Sequence, residues 1–420
     1  MGLTRHSGRV GRRSVLAGGV ALGAFGAAQV TSPFIVKALG EEPVRLGFID
    51  PLTGVYSVLA TSEVEGARLA VEEINKKGGV LGRPLQLLVE DSANDVGTGV
   101  QKIRKLIDQD HVNVTYGDVN SGIAYAISQV AAEKGVLHIV PGGHTDPITG
   151  KDCAWNVFRI CNTTAMDANA ISELLLKKFG KRWYFITPDY AYGQTLQAAF
   201  IKNLKTAGGT YVAELLPLAT SDFSASLIKA KAFKPDVLLN NMGGLAQIDC
   251  MKQFIEFGMS KDMALGGALY EIESVLAVPR EAQAGWWDME WWWNQPGVPH
   301  VKEFVDAIVT RYKKPASARH WFGYVGVNAA ALAIDKAKSL KAIDLAHALA
   351  GMELPPEVAL QPGKVYFRAE DHELMPNVFT GEVHPPPAGD PYNIFTVAEL
   401  VPATRADPLA STGCNMKYPS

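Results

Sequence analysis

The chain has 420 residues, 47% apolar and 20% charged, with a formal net charge of −3. That balance belongs to a soluble globular protein too long for one ordinary core, so two domains are expected. The near-neutral charge leaves no basic footprint for nucleic acid or an anionic membrane.

The N-terminus stands apart. Arg5, Arg9, Arg12 and Arg13 precede Val15 to Ala28, an uncharged stretch of small and apolar residues. This is the layout of a signal peptide, too short and too rich in Gly and Ala for a good membrane span. Arg12-Arg13 beside Ser14-Val15-Leu16 resembles a twin-arginine export signal, with an ordinary secretory signal as the alternative. Either route places the mature protein outside the cytoplasm, so residues 1–40 are read as an export signal and the location as periplasmic. Four cysteines in an exported chain invite pairing. Cys153 and Cys161 are separated by a segment that reads as a strand, and eight extended residues at ~3.3 Å each overshoot a disulfide's reach of ~6 Å. A bond from Cys153 or Cys161 to Cys414 is favoured, and Cys250 reads as a buried thiol.

From Val44 the chain alternates. VRLGFI is an apolar strand, a loop with Pro51 and Gly54 follows, and Thr61 to Lys77 reads as a helix whose Val64, Ala67, Ala70, Val71 and Ile74 form one apolar stripe. PLQLLVED is the next strand. Helix 97–110, strand HVNVTYG, helix 123–134, strand GVLHIV and the loop PGGHTDPITG continue the pattern, and Cys153 to Ile160 reads as a crossing strand. A second set begins at Met166: helix to Lys178, strand RWYFIT, loop PDYAYGQ, a helix carrying Leu196, Phe200 and Leu204, strand TYVAELLPL, helix 225–233, strand KPDVLLNNM, helix 246–258 and strand MALGGALY. Two such sets imply two doubly wound α/β lobes. Residues 284–297 hold five of eight tryptophans. Helices 301–312, 322–338 and 343–351 follow, and then a tail with strands at KVYFRA and PNVFTGEV. His372, between Asp371 and Glu373, reads as a solvated turn.

PLTG at 51–54, GARLAVEEINKKGGVLGRPL at 66–85, VED at 89–91, PGGHTDPITG at 141–150 and DYAYGQTL at 189–196 together resemble the extracytoplasmic solute-binding proteins of bacterial ABC transporters, of the branched-chain amino acid binding type. The resemblance implies a type I periplasmic-binding fold of two lobes joined by a three-segment hinge, with the ligand cleft between them. Lobe one is expected over 43–160 plus 295–355, and lobe two over 161–294 plus a tail at 356–410. A small-molecule ligand, a membrane permease as partner, a monomer, no cofactor, no metal and no catalysis are implied. No nucleophile elbow, dinucleotide fingerprint, HExxH or CxxC appears in the sequence to favour an enzyme. A ligand-sensing receptor module is the runner-up.

Placed on this chain, the family's carboxylate-holding serine falls on Ser121, after Asn120, with the helix N-cap as its structural alternative. The backbone contact falls on Gly142 and Gly143, and the threonine position on His144, with Thr145 beside it. The lobe-two tyrosine falls on Tyr192, and Gly243 belongs to the next loop. Tyr56 and Leu59 are expected in an apolar wall. The acidic residue that pairs with a ligand ammonium falls near Ala268, with Glu271 and Glu273 three and five positions on, and an aromatic cleft position falls near Arg319. A lost anion and a gained cation favour a carboxylate-bearing solute without an ammonium, an organic or aromatic acid. One of Trp291 to Trp293 is a candidate to stack on such a ligand, with packing of lobe against hinge as the alternative.

Overall fold

A computed structural model describes residues 42–419; the export signal expected at residues 1–40 lies outside them. The chain runs β1 (Val44–Asp50), α1 (Ser57–Lys76), β2 (Leu85–Asp91), α2 (Val96–Asp108), β3 (Val114–Tyr116), α3 (Ser121–Lys134), β4 (Leu137–Val140) and β5 (Val157–Arg159). These five strands form one parallel sheet in the order β2-β1-β3-β4-β5. Its inner strands are apolar and buried, as strands covered by helices on both faces must be.

The second set is α4 (Thr164–Lys178), β6 (Arg182–Pro188), α5 (Ala191–Thr206), β7 (Thr210–Leu216), α6 (Ser224–Phe233), β8 (Val237–Asn240), α7 (Gly244–Glu256), β9 (Ala264–Gly267), α8 (Ile272–Ala277) and β10 (Gly285–Met289). Helices α9 (Val301–Tyr312), α10 (Ala318–Ala337), α11 (Ala342–Leu349) and α12 (Pro356–Ala359) return to the first sheet's core, and β11 (Asn377–Val383) and β12 (Phe395–Pro402) close the chain. The second sheet has the order β12-β11-β10-β9-β8-β6-β7, with β11 and β12 antiparallel at one edge. The chain therefore passes between the sheets after β5, after β10 and before β11, which is the expected three-segment connection.

The structure fills in some local expectations and corrects others. The tryptophan-rich GWWDM is strand β10, with Trp287 in the core. KVYFRA forms only isolated bridges through Tyr366 and Phe367, and the outer antiparallel strand is FTVAELVP. The crossing strand at 153–160 is the short edge strand β5. Residues 358–374, expected in lobe two, contribute Val358, Leu360, Val365, Phe367 and Leu374 to the first core. His372 is fully buried, stacked on Phe158 at 3.8 Å and bonded to the Tyr418 hydroxyl at 2.8 Å. The disulfide joins Cys153 to Cys414, while Cys161 and Cys250 are buried thiols.

One contact orders the first lobe. Helices α1 and α10 cross with almost no side chain between them: a Cβ on Gly66 would stand 1.9 Å from the His320 carbonyl oxygen, and one on Gly323 would stand 1.9 Å from that of Glu63. Backbone therefore meets backbone, and the first turn of α10 lies beside the first turns of α1. Ser317 caps α10 with its hydroxyl on the His320 amide, and the His320 ring answers at the cap, so the helix starts four residues before the expected Phe322. Gly66→Ala is expected to lower unfolding free energy in urea by about 1–3 kcal/mol despite alanine's better helix propensity; an unchanged midpoint would show that the helices do not touch here.

Candidate functional site

The loops after the carboxyl ends of strands in both sheets face each other, the usual place for a ligand in open α/β sheets. From the first lobe come Tyr56 and Leu59 at the start of α1, Ser121 at the start of α3, His144 after β4 and Arg319 in the first turn of α10. From the second come Tyr190 and Tyr192 after β6, Met242 to Gly244 and Gln247 after β8, and Leu269 and Glu271 after β9. They enclose a cavity of about 30 Å³. The hydroxyls of Tyr56 and Tyr190 meet across the lobes at 2.7 Å, and Gly243 and Gly244 lie against the Tyr56 ring.

Seven of the residues singled out in the sequence thus share one cavity: Tyr56, Leu59, Ser121, His144, Tyr192, Gly243 and Arg319. The other five sit around it. Asn120, and not Ser121, caps α3: its Oδ1 accepts from Gly122 N–H at 2.9 Å, and its Nδ2 donates to Asn94 at 2.8 Å. Ser121 Oγ accepts from His144 N–H at 3.0 Å, which leaves its own proton for another acceptor. Gly142 is where Glu63 and Arg319 press closest: a Cβ there would stand 2.1 Å from Glu63 Oε1 and 2.5 Å from Arg319 Nη1. Gly143 packs on Ala124. Thr145 donates to the Ala191 carbonyl at 3.2 Å, and its own carbonyl accepts from Arg159 at 2.7 Å, so it braces the loop. Ala268 belongs to the second lobe's core and not to the cavity wall.

Two expectations change with this geometry. The cleft has not lost its acid, because Glu271, three residues beyond Ala268, lines the cavity. Leu269 adopts a left-handed φ of 55°, and this bends the loop so that Glu271 faces inward. Nor is Arg319 an unpaired cation. Its Nε donates to Glu271 Oε1 at 2.7 Å, and its Nη1 donates to Glu63 Oε1 at 2.7 Å. Its Nη2 makes no hydrogen bond among the described residues. The tryptophans hold the hinge: the indoles of Trp291 and Trp293 donate to the carbonyls of Leu360 and Tyr392 at 2.8 and 3.0 Å, and Trp292 packs edge to face on Phe395. None of the three lines the cavity with Arg319.

Glu63 escaped the sequence reading, although the signal was present: Glu63, Ala67, Ala70 and Ile74 follow helical spacing, which puts a carboxylate on the buried stripe of α1. Glu290, Tyr190 and Met242 carry no such pattern. Burial pushes the carboxyls of Glu63, Glu271 and Glu290 up to about 7, with Arg319 opposing each. His144 is driven well below its ordinary value by burial and by the nearby charges of Arg319 and Arg159, and so is neutral. Tyr56 is raised to about 12 by burial.

The periplasmic binding protein family model matches residues 43–389. The chain belongs to that family. A Leu/Ile/Val-binding protein of Rhizobium johnstonii is 34% identical over 202 residues, 48% of this chain and 54% of that protein, so the match spans about half of this relative's length. A periplasmic binding protein of Burkholderia mallei, solved as a crystal structure, is 26% identical with a TM-score of 0.83, over 89% of this chain and 98% of that one. A solute binding protein of an ABC transporter from R. palustris, solved in complex with benzoate, is 22% identical with a TM-score of 0.78 over 89% and 99%, a likeness of fold. The family match agrees with the solute-binding family that the sequence motifs implied, and the Rhizobium johnstonii relative is named for Leu/Ile/Val binding. Among the described residues no helix is long and apolar enough to cross a membrane.

The raised carboxyls give a stability signature. A group whose folded pKa lies above its unfolded value binds its proton more tightly when folded, so its stabilisation is complete below the unfolded value and fades as pH rises through the folded one. Unfolding free energy is therefore expected to fall as pH is raised from about 4.5, the ordinary glutamate value, to about 7. Glu290→Gln should flatten that slope. Denaturant titrations at stepped pH measure it, and a slope of opposite sign would refute the assignment.

Proposed function

We propose that this binding protein is the periplasmic receptor of an ABC importer for a small carboxylate-bearing solute that carries no ammonium group and has an apolar or aromatic body. The observation that carries this reading is the pair of hydrogen bonds from Arg319 to Glu271 and Glu63. An amino acid ligand needs a cleft carboxylate for its ammonium, and here the chain's own guanidinium already occupies Glu271. What remains on offer is the second terminal nitrogen of Arg319 and the hydroxyl of Ser121, both donors and both suited to a carboxylate. Helix α3 adds its positive end, although Asn120 has taken the amides of Gly122 and Ile123. Leu59, Met242 and Leu269, with the rings of Tyr56, Tyr190 and Tyr192, supply the apolar walls. The fold neighbour crystallised with benzoate is an example of this architecture holding an aromatic acid.

A cavity of about 30 Å³ is too small for a ring and a carboxylate, so entry requires the lobes to part, with the Tyr56 and Tyr190 hydroxyls separating. Hinge closure then traps the solute, lobe one binding first, and the closed monomer docks on a membrane permease.

Calorimetry on the purified, ligand-stripped protein should show binding of aromatic or aliphatic monocarboxylates such as benzoate and none of leucine or valine. Arg319→Lys, which cannot span two carboxylates and a ligand at once, should weaken acid binding at least ~10-fold. Tight leucine binding with no response to acids would sink the proposal and would mean that Glu271 leaves Arg319 for a ligand ammonium. The acid's affinity should also fall as pH rises past about 7, where Glu63 and Glu271 both ionise and repel it.

A further inference from the structure

Behind the cavity wall lies a second group of side chains that shares only His144 with the solute cavity. A ring nitrogen of His144, a carboxylate oxygen of Asp167 and one of Glu290 all lie within 4.8 Å of one another, and all three residues are buried. Each comes from a different segment: His144 from the loop after β4, Asp167 from the first turn of α4, just past the first crossing between lobes, and Glu290 from the end of β10, where the second crossing begins. Asp167 Oδ2 is fully buried and has no hydrogen-bond partner, and the same holds for Oδ2 of Asp288, two residues before Glu290. The cations nearby are engaged elsewhere: Arg159 holds Glu373 at 2.8 Å, and Arg319 holds Glu63 and Glu271.

We propose that His144, Asp167 and Glu290 form a binding site for one divalent transition cation of the Zn²⁺ or Mn²⁺ kind, pinning the first lobe to the two crossing segments. An imidazole with two carboxylates is a donor set such ions accept, and bonds of ~2.0–2.2 Å to a central ion place donor atoms ~3–4 Å apart, within the spacing found here. The surroundings are built as metal surroundings are. Asn162 orients both carboxylates, its backbone N–H on Glu290 Oε2 at 2.6 Å and its Nδ2 on Asp167 Oδ1 at 2.9 Å, which leaves Glu290 Oε1 on His144 and Asp167 Oδ2 without a partner. Burial and the charges of Arg319 and Arg159 hold the His144 imidazole neutral, which is the form that ligates. Glu290 Oε1 now contacts His144 Nε2 directly; the ion would replace the proton shared in that contact. A double positive charge would also answer the buried carboxylates of Asp167, Asp288 and Glu290, none of which is ion-paired with a Lys or Arg among the described residues.

The test uses the mature chain stripped with a chelator, re-equilibrated separately with Zn²⁺ and Mn²⁺, and assayed by metal analysis and thermal unfolding. Expected are one retained ion per chain and a midpoint raised by about 2–5 °C at a hundredfold excess of metal over its dissociation constant. Asp167→Asn and Glu290→Gln should each weaken retention at least ~10-fold. No stoichiometric retention by the native chain, or equal retention by both variants, overturns the site. Should either variant fail to fold by circular dichroism, the decision passes to paramagnetic resonance of Mn²⁺ on the native chain. Coupling to a single imidazole nitrogen supports the site, and a spectrum of water-ligated Mn²⁺ alone overturns it.

Discussion

The close crossing of α1 on α10 is the constraint from which the cleft follows. Glycine at positions 66 and 323 lets the two backbones touch, and that contact sets Glu63 on one helix against Arg319 on the other. Larger residues would hold the axes further apart and lift the guanidinium away from both Glu63 and Gly142. A capping box starts α10 early enough for Arg319 to fall in its first turn instead of in a loop, so the cation is carried on a rigid element. Two glycines and one serine thus decide where Arg319, the one cation lining the cavity among the described residues, stands.

Electrostatics make that cation expensive to move. Glu63, Glu271 and Glu290 are buried around it, and each is held near the point where it exchanges its proton at neutral pH. Removing one partner of a buried ion pair leaves an uncompensated charge and typically costs about 3–5 kcal/mol. On the proposed function, structure and specificity are therefore not separable at Arg319: the hydrogen bonds that stabilise the lobe contact also set which ligand charges the cleft tolerates. The same coupling explains why Glu271, from the second lobe, matters to the first. Its hydrogen bond with Arg319 spans the cleft, as the tyrosine hydroxyl pair does on the other side of the cavity.

The alternation of strands and helices was legible because each element shows its own period, and both lobes and their order follow from it. The residues at strand ends were largely legible too, since the family resemblance carried Ser121, His144 and Tyr192 to the cavity. What escaped did so for local reasons. The left-handed Leu269 turns a loop that linear spacing treats as extended, so Ala268 was expected where Glu271 stands. Asn120 outcompetes Ser121 as the cap because its longer side chain reaches two amides. Strand β12 mixes half-exposed and exposed positions at a sheet edge and shows no clear alternation. The tryptophans misled through their chemistry: a large ring with one N–H suits a ligand wall and a hinge equally, and only the carbonyls of Leu360 and Tyr392 show which they serve.

On the proposed reading, this cleft differs from an amino acid cleft by the addition of a cation and not by the loss of an anion. An acidic residue that would face a ligand ammonium is still present, but a guanidinium tethered to the chain satisfies it first. Such a replacement is economical in entropy, because Arg319 is already ordered by its helix, whereas an ammonium arriving with a ligand must be immobilised on binding. It also imposes a charge limit. Glu63, Glu271 and Arg319 sum to −1 with both acids ionised and to zero once one carries a proton, so the solute's carboxylate is best received by the protonated form. Carboxyl values near 7 keep that form accessible, and Glu63 is buried on the same α1 face whose backbone contact with α10 positions the cation.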